Sequence, residues 1–238
     1  MRAYDPELPL IGIHIPKAAG TSARFFFQSW FSDGFLSHYP NEALEPGEPH
    51  NLEALHSREK PVVLYGHFSI DRGYGIERNY PNAKQFTAIL RDPLELSISL
   101  YHHVRKAFKQ GRRKSLGRFS GSLEDVLTHN RCHMLNHFPR PVSEFNYRDL
   151  LEEYFIEIGI AEDLETSMMN IAASLDKRYD PALLGHHNAT ERSSPPAQHV
   201  REIFMENHGL EYEIYNYAKA QFQSRKTCSR STPLNRHH

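Results

Sequence analysis

A short apolar run, Leu10 to Ile15, breaks at Pro16 into Lys-Ala-Ala-Gly-Thr-Ser and resumes as the aromatic stretch "ARFFFQSWF". That order predicts strand, tight loop, helix. Such a unit gathers backbone N–H groups and the positive end of a helix around one point, which suits an anion. It also constrains the fold, because the strand must sit in a sheet that helices cover. In the nucleotide-triphosphatase loop G-x-x-x-x-G-K-[ST], the lysine follows the last glycine and the neighbouring hydroxyl holds Mg²⁺. Here Lys17 precedes Gly20. A P-loop nucleotide kinase would need a conventional Gly-Lys-Ser/Thr and a Mg²⁺ carboxylate, and neither is evident.

Three further apolar runs read as buried parallel strands: Val62–Tyr65, Phe86–Leu90 and Tyr154–Ile160. Helical patterns or long connections separate them, which points to an α/β class with a doubly wound, mainly parallel sheet flanked by helices. Asp92 and Pro93 fit an N-cap and first turn, ahead of Leu94, Ile98, Tyr101 and Phe108 at helical spacing. Ser122 with Asp125 resembles a capping box, and Asp163 opens a helix through Leu164, Met168, Ile171 and Leu175. A final helix is expected from about Gly209 to Phe222. Residues 33–60 and 180–196 read as irregular. No repeat or linker divides the chain, so residues 1–238 are expected to form a single domain. At 39% hydrophobic content, 238 residues bury one substantial core.

A net charge of −1 gives no global field toward nucleic acid or membrane. Two cysteines, Cys132 and Cys228, rule out a disulfide framework and a C-x-x-C zinc pattern. No run approaches the roughly 18 apolar residues of a membrane span. The opening "MRAYDPELPL" carries Asp5 and Glu7 and lacks an apolar signal segment, so the simplest expectation is a cytoplasmic protein. A domain trimmed from an anchored protein would instead reside in the Golgi lumen.

"HIPKAAGTS" closely resembles the 5′-phosphosulfate loop of sulfotransferases that use 3′-phosphoadenosine 5′-phosphosulfate (PAPS), written P-K-[TAS]-[GA]-G-[TS]-[ST]. The resemblance implies that Lys17 meets the oxygen bridging phosphate and sulfate. It gives the 5′-phosphate to the backbone N–H groups of Ala18, Ala19, Gly20, Thr21 and Ser22, with the Thr21 and Ser22 hydroxyls. Such a donor has no β,γ-phosphate pair for Mg²⁺ to bridge, and an early lysine neutralises the departing oxygen instead. "AILRDPLELSISLYHHV" resembles the family's 3′-phosphate site, an Arg-Asp-Pro with a serine eight residues after the arginine; these are Arg91 and Ser99. Arginine supplies a planar charged fork to a phosphate dianion, and serine a directional donor. "YFIEIGIAEDLETSMMNIAASL" resembles the family's Gly-x-x-Glu-x-Leu segment through Gly159, Glu162 and Leu164. "HHNATERSS" falls where these enzymes close a loop over the nucleotide, so Asn188, Thr190 and Arg192 would contact the 3′-phosphate or adenosine. The resemblance is nearest the heparan sulfate 2-O- and 6-O-sulfotransferases and bacterial relatives. It covers most of residues 10 to 220.

Transfer to an alcohol needs a base, and a histidine near neutrality suits the task. "VVLYGHFSIDRGYG" puts His67 just past a strand, at the sheet edge where doubly wound folds hold ligands. The glycan 2-O-sulfotransferases show a similar Gly-His with that histidine as base, so His67 is the candidate. Asp71 and Glu95 are carboxylate alternatives, with Asp71 also placed to orient His67. Cys132, His133 and His137 lack a further ligand at a recognisable interval, so no metal is expected. "VRKAFKQGRRKSLGR", residues 104–118, holds seven basic residues, either a solvated loop or an anion-attracting rim. The expected function is sulfuryl transfer from PAPS, leaving PAP, to a hydroxyl of a carbohydrate or other acceptor, anionic ones included. An inactive nucleotide- or glycan-binding module on the same fold is the alternative of another class.

Overall fold

The structure, a computed structural model, describes residues 1–39, 48–185 and 195–230, without the side chains of 226–230. Its strands are β1 (Leu10–Ile13), β2 (Phe35–His38), β3 (Val63–Gly66), β4 (Phe86–Leu90) and β5 (Phe155–Ile160). The helices are α1 (Gly20–Phe31), α2 (Leu52–Leu55), α3 (Ile76–Asn79), α4 (Pro93–Lys109), α5 (Leu123–His129), α6 (Tyr147–Tyr154), α7 (Leu164–Ser174), α8 (Gln198–Asn207) and α9 (Gly209–Arg230). All strand pairs are parallel, in the order β2-β3-β1-β4-β5. From β1 the chain goes to the edge strand β2, returns with β3 between β2 and β1, then crosses to the other side of β1 for β4. The carboxyl ends of β1 and β4 therefore flank the topological switch point, where such sheets place ligands.

Both faces of the sheet are covered, which is why its strands read as unbroken apolar runs. Toward α1 and α7, Leu10, Val63, Tyr65 and Ile89 meet Phe26, Phe27, Phe31, Met168 and Ile171. Toward the other helices, Ile11, Ile13, Leu64, Ala88 and Leu90 meet Leu94, Leu96, Leu151, Ile214 and Phe222. Each fully buried large side chain contributes roughly 1.5–3 kcal/mol.

Three caps behave as the sequence predicts. Asp92 accepts from the N–H groups of Leu94 and Glu95 with Pro93 in the first turn, Ser122 and Asp125 form a reciprocal capping box, and Asp163 caps α7. Four features differ from expectation. β2 lies inside the stretch read as irregular, and pairing along β3 from Phe35↔Val63 to His38↔Gly66 creates it. β1 and β3 end at Ile13 and Gly66, and Tyr154 closes α6 instead of opening β5. α2, α3, α6 and α8 were not anticipated. α9 continues past Phe222, because Arg225 Nη1 reaches Glu157 Oε2 at 2.5 Å and neutralises a carboxylate buried within β5.

Candidate functional site

At the end of β1, the His14 N–H continues the ladder to Gly66 O at 2.8 Å. The chain then turns sharply: Lys17 and Ala19 take φ of 70° and 60°. Left-handed backbone costs a residue with a Cβ of order 1–3 kcal/mol, and such strain gathers at functional turns. The loop uses some of its own amides. Ala18 N–H returns to Ile15 O at 3.2 Å, and those of Ser22 and Ala23 return to Ala19 O at 3.1 and 3.2 Å. The N–H groups of Lys17, Ala19, Gly20 and Thr21 have no backbone acceptor among the described residues. The open donors are thus shifted from the expected Ala18-to-Ser22 set, since Ala18 and Ser22 amides already hold the turn. Among the described residues no side chain caps α1, which leaves its positive end open to an anion.

The turn after β4 is tied to this loop. Arg91 Nη1 donates to Lys17 O at 3.0 Å, and its Nη2 lies 3.5 Å from Glu95 Oε2. Asp92 N–H donates to Glu162 Oε1 at 3.0 Å, and the Tyr215 hydroxyl donates to Glu162 Oε2 at 3.1 Å. The Gly-x-x-Glu segment therefore braces the Arg-Asp-Pro turn against α9. Ser99 stands partly buried two turns into α4, in the i, i+4 row of Glu95 and His103.

Cations converge here. Burial lowers the Lys17 pKa, and the charges of Arg91 and Lys106 lower it further. Burial likewise lowers that of His103, followed by Lys17, Arg112, Arg113 and Lys106. The basic stretch 104–118 is partly helical, since Arg105, Lys106 and Lys109 belong to α4. Beyond it, Arg112 N–H donates to Ala107 O at 2.9 Å, and Arg105 Nη1 reaches Gly121 O at 3.2 Å. These bonds turn the segment back along the helix.

His67 follows β3, its N–H bonded to His38 O at 2.8 Å. Its Nδ1 meets His14 O at 2.7 Å. A carbonyl only accepts, so Nδ1 carries the hydrogen and Nε2 presents a lone pair in the neutral ring. Burial lowers the His67 pKa, the carbonyl bond opposes this, and Arg72 adds to the lowering. The neutral, proton-accepting form is favoured. Around it stand the rings of His14 at 4.3 Å, Tyr39 at 4.9 Å and His137 at 6.4 Å between centroids.

The other sequence candidates resolve differently. Asp71 does not orient His67: the His14 carbonyl takes the Nδ1 hydrogen, while Asp71 is exposed and its charge acts on Arg118 and His133. Glu95 is engaged with Arg91. Among the described residues, no group of three or more His, Cys, Asp or Glu side chains is arranged to hold a metal. Burial pushes the Cys132 thiol up to about 12, and His137 Nδ1 is spent on Phe68 O. Asn188, Thr190 and Arg192 lie outside the described residues. Sequence reasoning missed His14, Tyr39 and Tyr65, whose hydroxyl donates to Gly20 O at 2.8 Å. Only His14 carried a signal, its place immediately before the loop.

The parallel five-stranded sheet with helices on both faces is a sulfotransferase-like α/β fold. It is similar to the solved structure of mouse sulfotransferase SULT7A1 complexed with PAP, with a TM-score of 0.52 and 12% sequence identity. The likeness covers 92% of this chain and 90% of that one. At that identity it establishes the fold alone. No family model matches the chain, and no curated protein matches it in sequence. Among the described residues no helix is long and apolar enough to cross a membrane.

Proposed function

We propose that this chain is a sulfotransferase that takes its sulfuryl group from PAPS and passes it to a hydroxyl of a carbohydrate acceptor. One observation carries the reading: amides at the α1 N-terminus that are open among the described residues, Lys17 and Arg91 lie together at the switch point, one strand from a neutral histidine whose Nδ1 is bonded to a carbonyl, which leaves Nε2 to accept. The fold neighbour's complex with PAP supports the same ligand class.

The residues fit such a donor. The amides of Lys17, Ala19, Gly20 and Thr21 take the 5′-phosphate, while Arg91 and Ser99 take the 3′-phosphate. By the sequence resemblance alone, Asn188, Thr190 and Arg192 are assigned to the 3′-phosphate or adenosine. In the transfer, a lone pair of the acceptor oxygen forms the new O–S bond. The bond from sulfur to the bridging oxygen breaks, its electron pair staying on the 5′-phosphate. The acceptor proton passes to His67 Nε2, and the Lys17 ammonium neutralises the departing oxygen. The basic stretch on and beyond α4 favours an anionic acceptor, and glycan 2-O- and 6-O-sulfation is the branch that the sequence motifs resemble.

Thermal denaturation with PAP tests the nucleotide site. PAP should raise the melting temperature, since a ligand selective for the folded state shifts the equilibrium. ATP with Mg²⁺ should raise it less, because it lacks the 3′-phosphate; equal or greater stabilisation would favour a nucleotide kinase. Incubation with labelled PAPS and a glycan panel tests turnover. His67→Ala should lower kcat by about 10²–10⁴-fold with PAP affinity nearly unchanged. PAP binding without turnover on any acceptor would make the chain a binding module.

A further inference from the structure

His14 occupies the space between the anion loop and His67, and it is 8% exposed. Its carbonyl receives the His67 Nδ1 hydrogen, and its ring lies 4.3 Å from that of His67, tilted by 38°. The same ring stacks on Tyr65 at 5.8 Å and shares a 2.9 Å hydrogen bond, through Nδ1, with the Tyr39 hydroxyl. It also abuts the first residue of α1: a Cβ on Gly20 would stand 1.9 Å from His14 Cδ2 and 2.3 Å from Nε2. Tyr39 closes the triangle by presenting its ring edge-on to His67 at 4.9 Å. A ring touching a glycine, a tyrosine hydroxyl and a second histidine has no freedom to rotate without breaking one of these contacts.

We propose that His14 is a positioning residue for the reaction: wedged between Gly20 and His67 and held by Tyr39, its ring fixes the His67 ring plane and shields it from water, while its backbone carbonyl fixes the tautomer. The inference rests on the reading of His67 as the base. Its logic is that of the third group in nucleophile–base–orienter arrangements, in which the orienter locks the base without touching the reacting atoms. A backbone carbonyl replaces the usual carboxylate, so Nδ1–H is fixed without adding a negative charge that would raise the proton affinity of His67. The other titratable groups facing His67 are His38 and Tyr39 from the end of β2, Arg72 from the segment after β3, and His137. His14 is itself held neutral, well below the ordinary histidine range, by burial and then by His67 and His137. The two adjacent imidazoles are therefore both neutral and do not repel.

The test combines NMR of ¹⁵N,¹³C-labelled histidine with kinetics, on His14→Ala and on Tyr39→Phe, which keeps the ring in place. In the wild type, His67 should show one tautomer, Nδ1–H, and titrate below the ordinary value of about 6.5. In His14→Ala the residue-14 carbonyl stays and the Nδ1–H form should persist, but water reaches the ring and the titration should move toward about 6.5. The acidic limb of the kcat profile should move with it, kcat should fall about tenfold or more, and PAP affinity should stay within about twofold. Tyr39→Phe should give a smaller change of the same sign, and it decides the matter if His14→Ala does not fold. An unchanged His67 titration and kcat profile in a folded variant would overturn the proposal. If His67→Ala keeps a normal kcat, the base assignment fails, while the NMR result still decides whether His14 fixes that ring.

Discussion

Gly20→Ala sets two physical effects against each other with opposite signs. Helix propensity favours alanine over glycine by up to about 1 kcal/mol, so a reading of α1 in isolation expects a gain. The tertiary structure expects a loss. The added Cβ would lie 1.9 Å from His14 Cδ2, roughly half of an ordinary carbon–carbon contact. His14 cannot yield cheaply, since His67 is 4.3 Å away and Tyr39 holds its Nδ1. Overpacking costs about 1–3 kcal/mol, and loss of the Tyr39 bond adds about 1 kcal/mol. The net expectation is destabilisation by about 1–3 kcal/mol, or a melting temperature lower by roughly 3–10 °C for a chain of this length. Urea denaturation of wild type, Gly20→Ala, His14→Ala and the double variant measures it as a cycle. With His14 truncated, Gly20→Ala should become neutral or stabilising. A single Gly20→Ala variant as stable as wild type would refute the claim that His14 is wedged there.

Acid should weaken the fold through its neutral histidines. Burial holds His137 at about 3, His38 at about 4 and His133 at about 4, whereas the unfolded chain binds these protons below about 6.5. Stability is therefore lost as pH falls from 6.5 toward those values. His137 alone accounts for about 2 kcal/mol by pH 5, with smaller, screened amounts from the two partly exposed rings. A flat urea midpoint from pH 7 to 4.5 would contradict this. Glu95→Gln should release Arg91 from its 3.5 Å partner and tighten PAP binding by up to about fivefold, since a partly exposed pair is worth about 1 kcal/mol at most; calorimetry showing weaker binding would count against the Arg91 assignment. Neutralising Arg112, Arg113 and Lys114 together should raise the KM for an anionic acceptor, less so in added salt, with donor binding scarcely changed. Acceptor kinetics unaltered at low salt would return that segment to an ordinary solvated surface. Ser167→Ala should cost about 1–3 kcal/mol without altering PAP affinity, because the buried hydroxyl receives Ile160 N–H at 2.7 Å and donates near Ile160 O and Asp163 O; an unchanged melting temperature would deny that role.

Local chemistry made much of this legible in the sequence. Asp92-Pro93, Ser122 with Asp125, and Asp163 announce helix starts because a cap acts within about one turn of its own backbone. The anion loop, four of the strands and the doubly wound class followed from apolar runs and small residues that lie side by side in the chain. His67 was identified as a base candidate from its place after a strand and from its family likeness. Contacts between distant segments left no such trace. Phe35–His38 became a strand because Val63–Gly66 offered a free edge, and its own residues carry no clear period. Arg225 extends α9 to serve a glutamate 68 residues earlier. Tyr39, 25 residues from His14, gives no local sign that its hydroxyl holds that ring. The Nδ1–H form of His67, the engagement of Glu95 with Arg91, and the exclusion of Asp71 as orienter were all decided only when the strand ends met. The sequence determined what each segment can form and donate, because capping, turns and periodicity act over a few residues. The tertiary structure decided which partner each donor finds, because burial, tautomer and charge depend on neighbours far away in the chain.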